Sequence, residues 1–518
     1  MNTFNNPILP GFYPDPSVCR VNDDYYLVTS TFTYFPGIPI FHSKDLVHWN
    51  QIGNVLDRES QIPLKEGGHS AGIFAPTIRY HNGVFYVINT NVQNGGNFIV
   101  TSADPEGPWS EPYYLHSEGI DPSLFFDDDG RCYYCGTKDR REGAAFFGDN
   151  EIYIQELHLD TMTLAGESHA AWHGALRDAV WPEGPHIYKK DGWYYLLISE
   201  GGTGHDHAVS IARSRSVRKP FEGYRRNPIV THRHLGLDYP IVNVGHPDLV
   251  ETQKGEWWMI LLASRPYGGY YRNLGRETFL VPVSWEDGWP VINPGKGIVE
   301  NTGPLPALPY TERLSVPELE SFDSLKLPSH FIFLRNPDMS RYSLSERPGF
   351  LRIFLSPVRL NELSSPSFIC RRQQSMSFTA ETRFSFNPGE HETAGLALFQ
   401  SNEFYYSLIY TIESGVGYIK ILKCAKGKEE TLASFPLTSK NTDWDFKVHA
   451  RYQDLSFFYK PSGSDAYIPL IDKVDGRILS TDVAGGFVGT CVGLFGTAKD
   501  KASKNHADFD WFSLVNLQ

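Results

Sequence analysis

Four ionisable residues of this sequence share one local context, a proline that follows within two positions. Asp15 in "FYPDPS", Asp121 in "GIDPSL" and His246 in "GHPDLV" stand directly before a proline. Glu183 in "WPEGPH" is separated from its proline by one glycine. Proline fixes its own φ near about −65° and favours extended backbone in the residue before it, so we expect short, stiff, extended segments here. A single Asp-Pro is ordinary turn chemistry, and the recurrence of the pattern is what indicates a shared site.

Three carboxylates that meet at one place are compatible with three interpretations. A protonated acid and an ionised base can hydrolyse a glycosidic bond held between them. Carboxylates can instead bind calcium, which takes about six to eight oxygen ligands. The third interpretation is turn structure alone. No calcium-loop motif accompanies the acids, and the acidic run "FFDDDG" at 125–130 occupies a hairpin turn, where its charges are expected to be solvated.

The elements that must position these residues are repeated along the chain. In five stretches a proline is followed by an apolar strand, a polar turn rich in Asp, Asn or Gly, and an aromatic strand, which is the pattern of a β-hairpin. The intervals between the aligned prolines, 60, 46, 63 and 62 residues, accommodate four short strands each, and such spacing without a long helix indicates a five-bladed β-propeller. Because the innermost strand of each blade lines the axis, the four ionisable residues are expected to converge at one mouth of the channel. The aligned prolines are Pro16, Pro76, Pro122, Pro185 and Pro247.

Composition is that of an ordinary globular protein and argues against some partners. The chain has 518 residues, of which 41% are hydrophobic and 21% charged, and this length is too great for one hydrophobic core. A formal net charge of −13 and the lack of a basic run argue against nucleic acid or an anionic membrane surface as a partner. No apolar run is long enough to span a bilayer. Aromatic residues reach 14%, which leaves some for clefts that stack on sugar rings.

The six cysteines are scattered through strand-like stretches. The pair in "CYYC" has no second CxxC partner, so all six are predicted to be buried free thiols. The N-terminal stretch "MNTFNNPILPG" has neither the charged region nor the apolar core of a secretory signal. Both observations predict a cytoplasmic protein. The sequence is compatible with a homo-oligomer but does not specify one.

Five stretches carry a resemblance to a known family: "NPILPGFYPDPSVCRVNDDYYLVTSTF", "GIFAPTIRYHNGVFYV", "GIDPSLFFDDDG", "WPEGPHIYKKDGWYYLLISEGGT" and "LGRETFL". In these stretches the sequence resembles glycoside hydrolase family 43, in the β-xylosidase and α-L-arabinofuranosidase branch that carries a C-terminal β-sandwich. The likeness covers nearly the whole chain. It implies a five-bladed propeller, an inverting mechanism and no required cofactor.

The resemblance also implies a role for each acid. Asp15 matches the general base, Glu183 the general acid, and Asp121 a third acid that tunes the pKa of Glu183 and positions it. The residues agree with this division, because Glu183 is flanked by a Trp-Pro and a Gly-Pro pair. Such a hydrophobic setting should raise its pKa, and ionised Asp121 nearby would raise it further.

Five further residues are assigned to the sugar site or to the axis. Arg276 of "LGRET" matches a substrate-contacting arginine, with a surface ion pair as the alternative. Phe32 and Phe74 are predicted to shape the sugar pocket, with core packing as the alternative; relatives often carry Trp in place of Phe74. His207 is predicted to line the site, unless it lies in a solvated loop. His246 lies beneath the site, either as a hydrogen-bonded axial histidine or beside a bound calcium ion.

A proline-rich linker, "ENTGPLPALPYTERLSVP", divides the chain into residues 1–303 and residues 317–518. Beyond it, alternating stretches such as "SMSFTAETRFSF" predict an all-β sandwich of the jelly-roll, concanavalin-like type. In the family this domain packs on the propeller and can send a loop to the rim of the active site, for which Phe487 is the candidate. An independent carbohydrate-binding module is the alternative.

These observations predict an exo-acting, inverting glycoside hydrolase. Its expected products are β-D-xylose, α-L-arabinofuranose or both, released from xylo- or arabinoxylo-oligosaccharides. Two alternatives stay open: an enzyme that is predominantly an α-L-arabinofuranosidase, and a catalytically silent propeller that binds carbohydrate or protein. The acid set favours an enzyme, since a binder has no need for three registered carboxylates.

Overall fold

The computed structural model describes residues 3–176, 178–438 and 441–517. Its N-terminal part contains five antiparallel sheets, each built from strands that follow one another along the chain except for one insertion in the first sheet, as in the blades of a propeller. We number these blades 1 to 5 in chain order. Their strands are Ser17–Val21, Asp24–Val28, Gly37–Ser43 and Asn50–Leu56 in blade 1; Thr77–His81, Val84–Asn91, Gly96–Ser102 and Tyr113–Tyr114 in blade 2; Ile120–Phe126, Cys132–Asp139, Asn150–His158 and Thr163–Trp172 in blade 3; Glu183–Lys190, Trp193–Glu200, Ala208–Ser214, Glu222–Gly223 and Val230–Thr231 in blade 4; and Val242–Glu251, Trp257–Ser264, Glu277–Glu286 and Trp289–Ile292 in blade 5.

The C-terminal part is a sandwich of two eight-stranded sheets. Helix is confined to short pieces, and within the described ranges no helix has the length and apolarity needed to cross a bilayer. One sheet has the strand order Lys428–Pro436, Val416–Ala425, Phe404–Glu413, Thr393–Ser401, Cys491–Thr497, Ser367–Arg372, Ile332–Leu334 and Tyr34–Phe35. The other has the order Tyr342–Ser343, Leu351–Phe354, His506–Leu517, Ser377–Phe386, Asp443–Arg451, Asp454–Pro461 and Ile468–Asp475, with Leu319–Glu320 paired to His506–Leu517. The helical pieces are Arg233–Leu235, Met339–Arg341, Gly476–Leu479 and Thr481–Ala484.

Burial explains why these sequences form strands. Trp257–Ser264 is buried at every position after its first, because neighbouring blades cover both of its faces. Ser377–Phe386 alternates strictly between buried and partly exposed residues, because only one face of its sheet packs on the core. The strand Trp257–Ser264 therefore has a continuous apolar run, and Ser377–Phe386 has buried, mostly apolar residues at every second position. Both patterns can be recognised in the sequence.

Two short pairings close the propeller ring. Thr3–Asn5 pairs with Thr302–Pro304, which follows the last blade, and Leu9 bridges to Thr278 in blade 5. The Tyr13 N–H then donates to the Arg276 carbonyl at 3.1 Å. Residues 10–15 are therefore anchored to blade 5 before blade 1 begins.

The backbone before four of the five aligned prolines is left-handed, not extended as expected from the prolines. The φ angles are 54° at Asp15, 52° at Asp121, 57° at Gly184 and 46° at His246. In blades 3, 4 and 5 the first strand also shifts register against the second at this point, as a β-bulge does. A proline restricts its neighbour only locally, whereas the bulge is imposed by pairing with the next strand. In these three blades the bulge therefore aims Asp121, Glu183 and His246 at the axis.

The propeller and the sandwich share a sheet. Tyr34–Phe35, inserted within blade 1, pairs antiparallel with Ile332–Leu334 and forms the edge of a sandwich sheet. Phe32 and Tyr34 are buried in the same apolar cluster as Ile332. A five-bladed propeller followed by a β-sandwich is thus confirmed, while the exact domain limits stay a prediction. All six cysteines are buried and free, as predicted.

Candidate active site

A cavity of about 250 Å³ lies at the mouth of the propeller, where the first strands of the blades begin. Asp15, Asp121, Glu183, His246 and Arg276 all contribute to its wall. The structure therefore brings together the four ionisable residues that the repeat pattern placed at one mouth. The role of each residue stays a prediction.

Asp15 is held as an ionised carboxylate. Arg276 Nη1 donates to its Oδ1 at 2.8 Å and Nη2 to its Oδ2 at 3.3 Å, while the Ser30 hydroxyl donates to Oδ2 at 2.6 Å. Burial alone would raise the pKa of Asp15, but Arg276, His246 and the Ser30 hydrogen bond together lower it below its ordinary value. Asp15 is therefore charged at neutral pH, as a base that activates water must be.

Glu183 and Asp121 have the opposite electrostatics. Burial raises the pKa of Glu183 well above its ordinary value, and Asp121 and Asp15 raise it further by like-charge repulsion. Burial also raises the pKa of Asp121 to about 6, with His246 lowering it and Asp15 raising it. The cavity thus contains an acidic carboxyl group, Asp15, beside Glu183, whose carboxyl group retains its proton, and this is the separation that acid/base chemistry requires.

Three phenylalanines form the apolar side of the cavity. The ring centroid of Phe32 lies 5.6 Å from that of Phe74 and 5.8 Å from that of Phe487, and Phe74 and Phe487 are also 5.8 Å apart. Phe487 comes from the sandwich, and its N–H donates to the Ser70 hydroxyl at 2.8 Å. The second domain therefore completes the wall with the residue proposed from the sequence.

Arg276 links the acid to the aromatic wall. Besides Asp15, it donates to the Thr203 hydroxyl at 3.1 Å and, through Nε, to the Phe487 carbonyl at 3.4 Å. Its guanidinium carbon lies 5.5 Å from the centroid of Phe32 and 5.3 Å from that of Phe487. Arg276 is 7% exposed, so it is not the surface ion pair considered as an alternative.

His246 packs beneath the acids. Its Nδ1 lies 3.8 Å from Asp15 Oδ1, and a Cβ on Gly184 would come within 2.9 Å of its ring. The surroundings do not fit a calcium site, because Arg276 and Ser30 already occupy both oxygens of Asp15. Across 3–176, 178–438 and 441–517, no group of three or more His, Cys, Asp or Glu residues is arranged to hold a metal ion.

His207 lies outside the cavity wall, contrary to the prediction that it lines the site. It is 1% exposed, its Nδ1 is 3.0 Å from the Asn243 carbonyl, and its ring packs against Gly245. The reason is its position directly before the buried strand Ala208–Ser214, which turns it into the core between blades 4 and 5. Burial lowers the pKa of His207 to about 3, so it supports the site as a neutral side chain.

Four residues of the wall were not predicted from the sequence: Ala75, Ile120, Trp181 and Thr203. Trp181 is 37% exposed at the rim, and its ring lies 5.4 Å from that of Phe147. Its position two residues before Glu183 was the sequence feature that could have identified Trp181 as part of the wall. Thr203 follows the second strand of blade 4 and carries no pattern of its own.

Comparison with protein-family models covers both parts of the chain. Residues 4–290 match the model of glycosyl hydrolases family 43. Residues 320–515 match the model of the beta xylosidase C-terminal concanavalin A-like domain.

Full-length relatives and a solved structure extend this similarity. A xylosidase/arabinosidase of Butyrivibrio fibrisolvens is 49% identical over 519 residues, which cover 99% of each chain. A non-reducing end alpha-L-arabinofuranosidase of Bacteroides ovatus is 39% identical over 98% of this chain and 94% of the relative. The crystal structure of a xylan beta-1,4-xylosidase from Bacillus halodurans C-125 has a TM-score of 0.93 and 37% identity, covering 99% of this chain and 100% of that one.

Proposed function

The chain belongs to glycosyl hydrolase family 43, and from this premise we propose that it is an exo-acting, inverting pentosidase. Its substrates are xylo- or arabinoxylo-oligosaccharides, from which it releases β-D-xylose, α-L-arabinofuranose or both. The single observation that carries the proposal is the opposed electrostatics of Asp15 and Glu183 in one small cavity. The reaction needs no cofactor.

In this proposal each acid has one step. Asp15 removes a proton from water, whose oxygen attacks the anomeric carbon, while Glu183 gives its proton to the departing glycosidic oxygen. The old carbon–oxygen bond breaks as the new one forms on the opposite face, so the configuration inverts. Asp15 then carries a proton and Glu183 a charge, and one proton passes between them through solvent. Asp121 keeps Glu183 protonated before the reaction by repelling its charged form.

The shape of the cavity supports removal of terminal sugars. A volume of about 250 Å³ is below the roughly 300–1,000 Å³ of pockets for drug-sized ligands, which suits a single pentose. Phe487 closes the site from the sandwich side, so a polymer has no path through it. The relatives named for both sugars support both products, and no residue of the wall favours one of them.

The test is a comparison of substrates with a stereochemical readout. We expect measurable kcat/KM on p-nitrophenyl β-D-xylopyranoside, on p-nitrophenyl α-L-arabinofuranoside, or on both, and their ratio settles the preference. Early-time proton NMR should show the sugar released with inverted configuration, and xylohexaose should yield xylose before any shorter internal fragment. Retained configuration, or internal cleavage at early times, would overturn the proposal.

A further inference from the structure

A second cavity, of about 230 Å³, lies at the seam between the propeller and the sandwich, and we call it the seam cavity. None of its lining residues is acidic, although the chain carries 60 acidic against 47 basic residues. Its wall combines the N-terminal segment, blade 1, the interdomain linker and the sandwich. The basic residues that line it are Arg313, Arg371, Arg372 and His330.

Arg372 is a buried cation with unused hydrogen-bond donors. It is 4% exposed, and its Nε and Nη2 have no acceptor among the described residues. Its guanidinium carbon lies 4.7 Å from the ring centroid of Phe12 and 4.5 Å from that of Tyr13, so aromatic faces, not carboxylates, surround it. Donors buried without acceptors are costly, and an anion in the cavity would supply the missing acceptors once a small movement of the Arg372 side chain turns these nitrogens toward it.

Two residues that line the cavity beside Arg372, namely Arg371 and His330, also have unfavourable buried surroundings. Arg371 donates to the Pro317 carbonyl at 3.0 Å, and burial lowers the pKa of Arg371 to about 10 in spite of Tyr13, Glu320 and Glu318 nearby. His330 Nε2 is buried without a partner in the part of the chain that the structure describes. The seam cavity therefore offers several nitrogen groups to one ligand.

The remaining wall indicates a flat ligand. Tyr13, Phe41 and Trp49 line the cavity and provide aromatic surface. The volume is again below that of a drug-sized pocket, so it accommodates about one ring. The linker borders the cavity on its exposed side, where the Leu314 N–H donates to Asn50 Oδ1 at 2.8 Å.

We propose that the seam cavity binds a small cyclic carboxylate, a single ring that carries one carboxylate group. Its carboxylate accepts hydrogen bonds from Arg372 and Arg371, and its ring packs on the aromatic residues. Sugar acids and aromatic acids share this chemistry. The site is separate from the one that hydrolyses the glycosidic bond, and the proposal does not depend on the sugar released there.

The test is calorimetric titration of the full-length protein at constant ionic strength with glucuronate, benzoate and inorganic phosphate. We expect glucuronate, benzoate or both to bind, with phosphate at least about tenfold weaker, and the two carboxylates tell a sugar acid from an aromatic acid. Arg372→Met should weaken carboxylate binding at least about tenfold, the loss expected for a charge-assisted hydrogen bond. If Arg372→Met does not fold, Arg313→Glu replaces it in the test. Arg313 is exposed at the rim of the cavity, and this variant should also weaken carboxylate binding at least about tenfold.

Two controls localise the binding. Arg226→Glu makes the same charge change on an exposed loop of blade 4, and Phe487→Ala alters the propeller cavity; both should leave carboxylate binding unchanged. The proposal is overturned if neither carboxylate binds up to about 10 mM, if phosphate binds as tightly as the carboxylates, or if the seam variants bind as the parent does.

Discussion

Asp15 owes its charge and its orientation to the same partner. Arg276 donates a hydrogen bond to each carboxylate oxygen of Asp15 and so fixes the direction in which the carboxylate points. Together with His246 and Ser30, it also lowers the pKa of Asp15. The pair is buried, so replacing either residue leaves the other without its opposite charge. A change at either position therefore affects stability as well as chemistry.

Asp15→Asn tests this double dependence. Without a base, turnover by the folded protein should fall roughly 10²–10⁴-fold. The melting temperature should fall too, because Arg276 is left as an uncompensated buried cation, a loss of up to about 3–5 kcal/mol. Adding Arg276→Met should restore the melting temperature without restoring kcat. If Asp15→Asn alone keeps near-normal turnover, Asp15 is a turn residue and not the base.

Glu183→Gln tests the proton donor. The variant should lose most activity on xylobiose, whose leaving oxygen needs a proton, and much less on an aryl xyloside with a highly activated leaving group. The ratio of the two losses is the measurement, and it is insensitive to the amount of folded protein. An equal loss on both substrates would assign the proton to another residue.

Asp121→Asn tests the origin of the raised pKa of Glu183. If Asp15 is the base and Glu183 the acid, activity requires Asp15 ionised and Glu183 protonated. As pH increases, kcat/KM should then rise through the pKa of Asp15 and fall through the pKa of Glu183. Burial remains in the variant but the charge of Asp121 is gone, so this pKa drops and the alkaline limb moves to lower pH. An alkaline limb that stays in place, or moves upward, would contradict the assignment.

At the scale of elements, the repeated bulge is what turns a strand of a blade into part of a site. In blade 4 the left-handed turn falls on Gly184, directly after Glu183, and the His246 ring occupies the space that a side chain would need. Gly184→Ala should therefore displace His246, reduce kcat/KM at least about tenfold and destabilise the fold by more than about 1 kcal/mol.

A matched variant separates the two causes of that effect. Gly83 has φ of 83° in a hairpin turn of blade 2, with no atom within 4 Å of an added Cβ. Gly83→Ala should therefore show the backbone cost alone, with unchanged kcat/KM. If both variants lose the same stability and neither loses activity, contact with His246 has no importance.

The prediction from sequence succeeded where the repeat itself carried the information. Five registered prolines identified the blades and the residues at their mouth, because equivalent positions of a repeat occupy equivalent places. The left-handed φ of Asp15 was not predictable from Pro16, since a proline favours extended backbone in the residue before it. His207 was misplaced because its burial is decided by blade 5, and Thr203 was missed because its only marker is a contact with Arg276.

At the scale of the whole molecule, the sandwich takes part in the propeller site. Phe487→Ala should raise KM for the pentoside about tenfold with a smaller effect on kcat, because it removes a wall that contacts the bound sugar and not a group that handles protons. Val483→Ala, at an exposed position shortly before it, is the control and should leave both constants unchanged. A loss confined to kcat would remove Phe487 from the binding wall.

The strand Tyr34–Phe35 makes the propeller and the sandwich depend on each other for backbone pairing. A sandwich from another protein could not simply be fused behind this propeller, because the exposed edge of Tyr34–Phe35 would lack the backbone partner that Ile332–Leu334 provides. The fusion would also lose Arg335, a fully buried residue of the sandwich. Arg335 donates to the Gly67 carbonyl of the propeller at 2.7 Å and to Asn402 of the sandwich at 2.7 Å. For protein engineering, the smallest unit that can be transplanted or recombined is therefore the entire two-domain chain, and crossovers belong within loops of one domain, away from the junction.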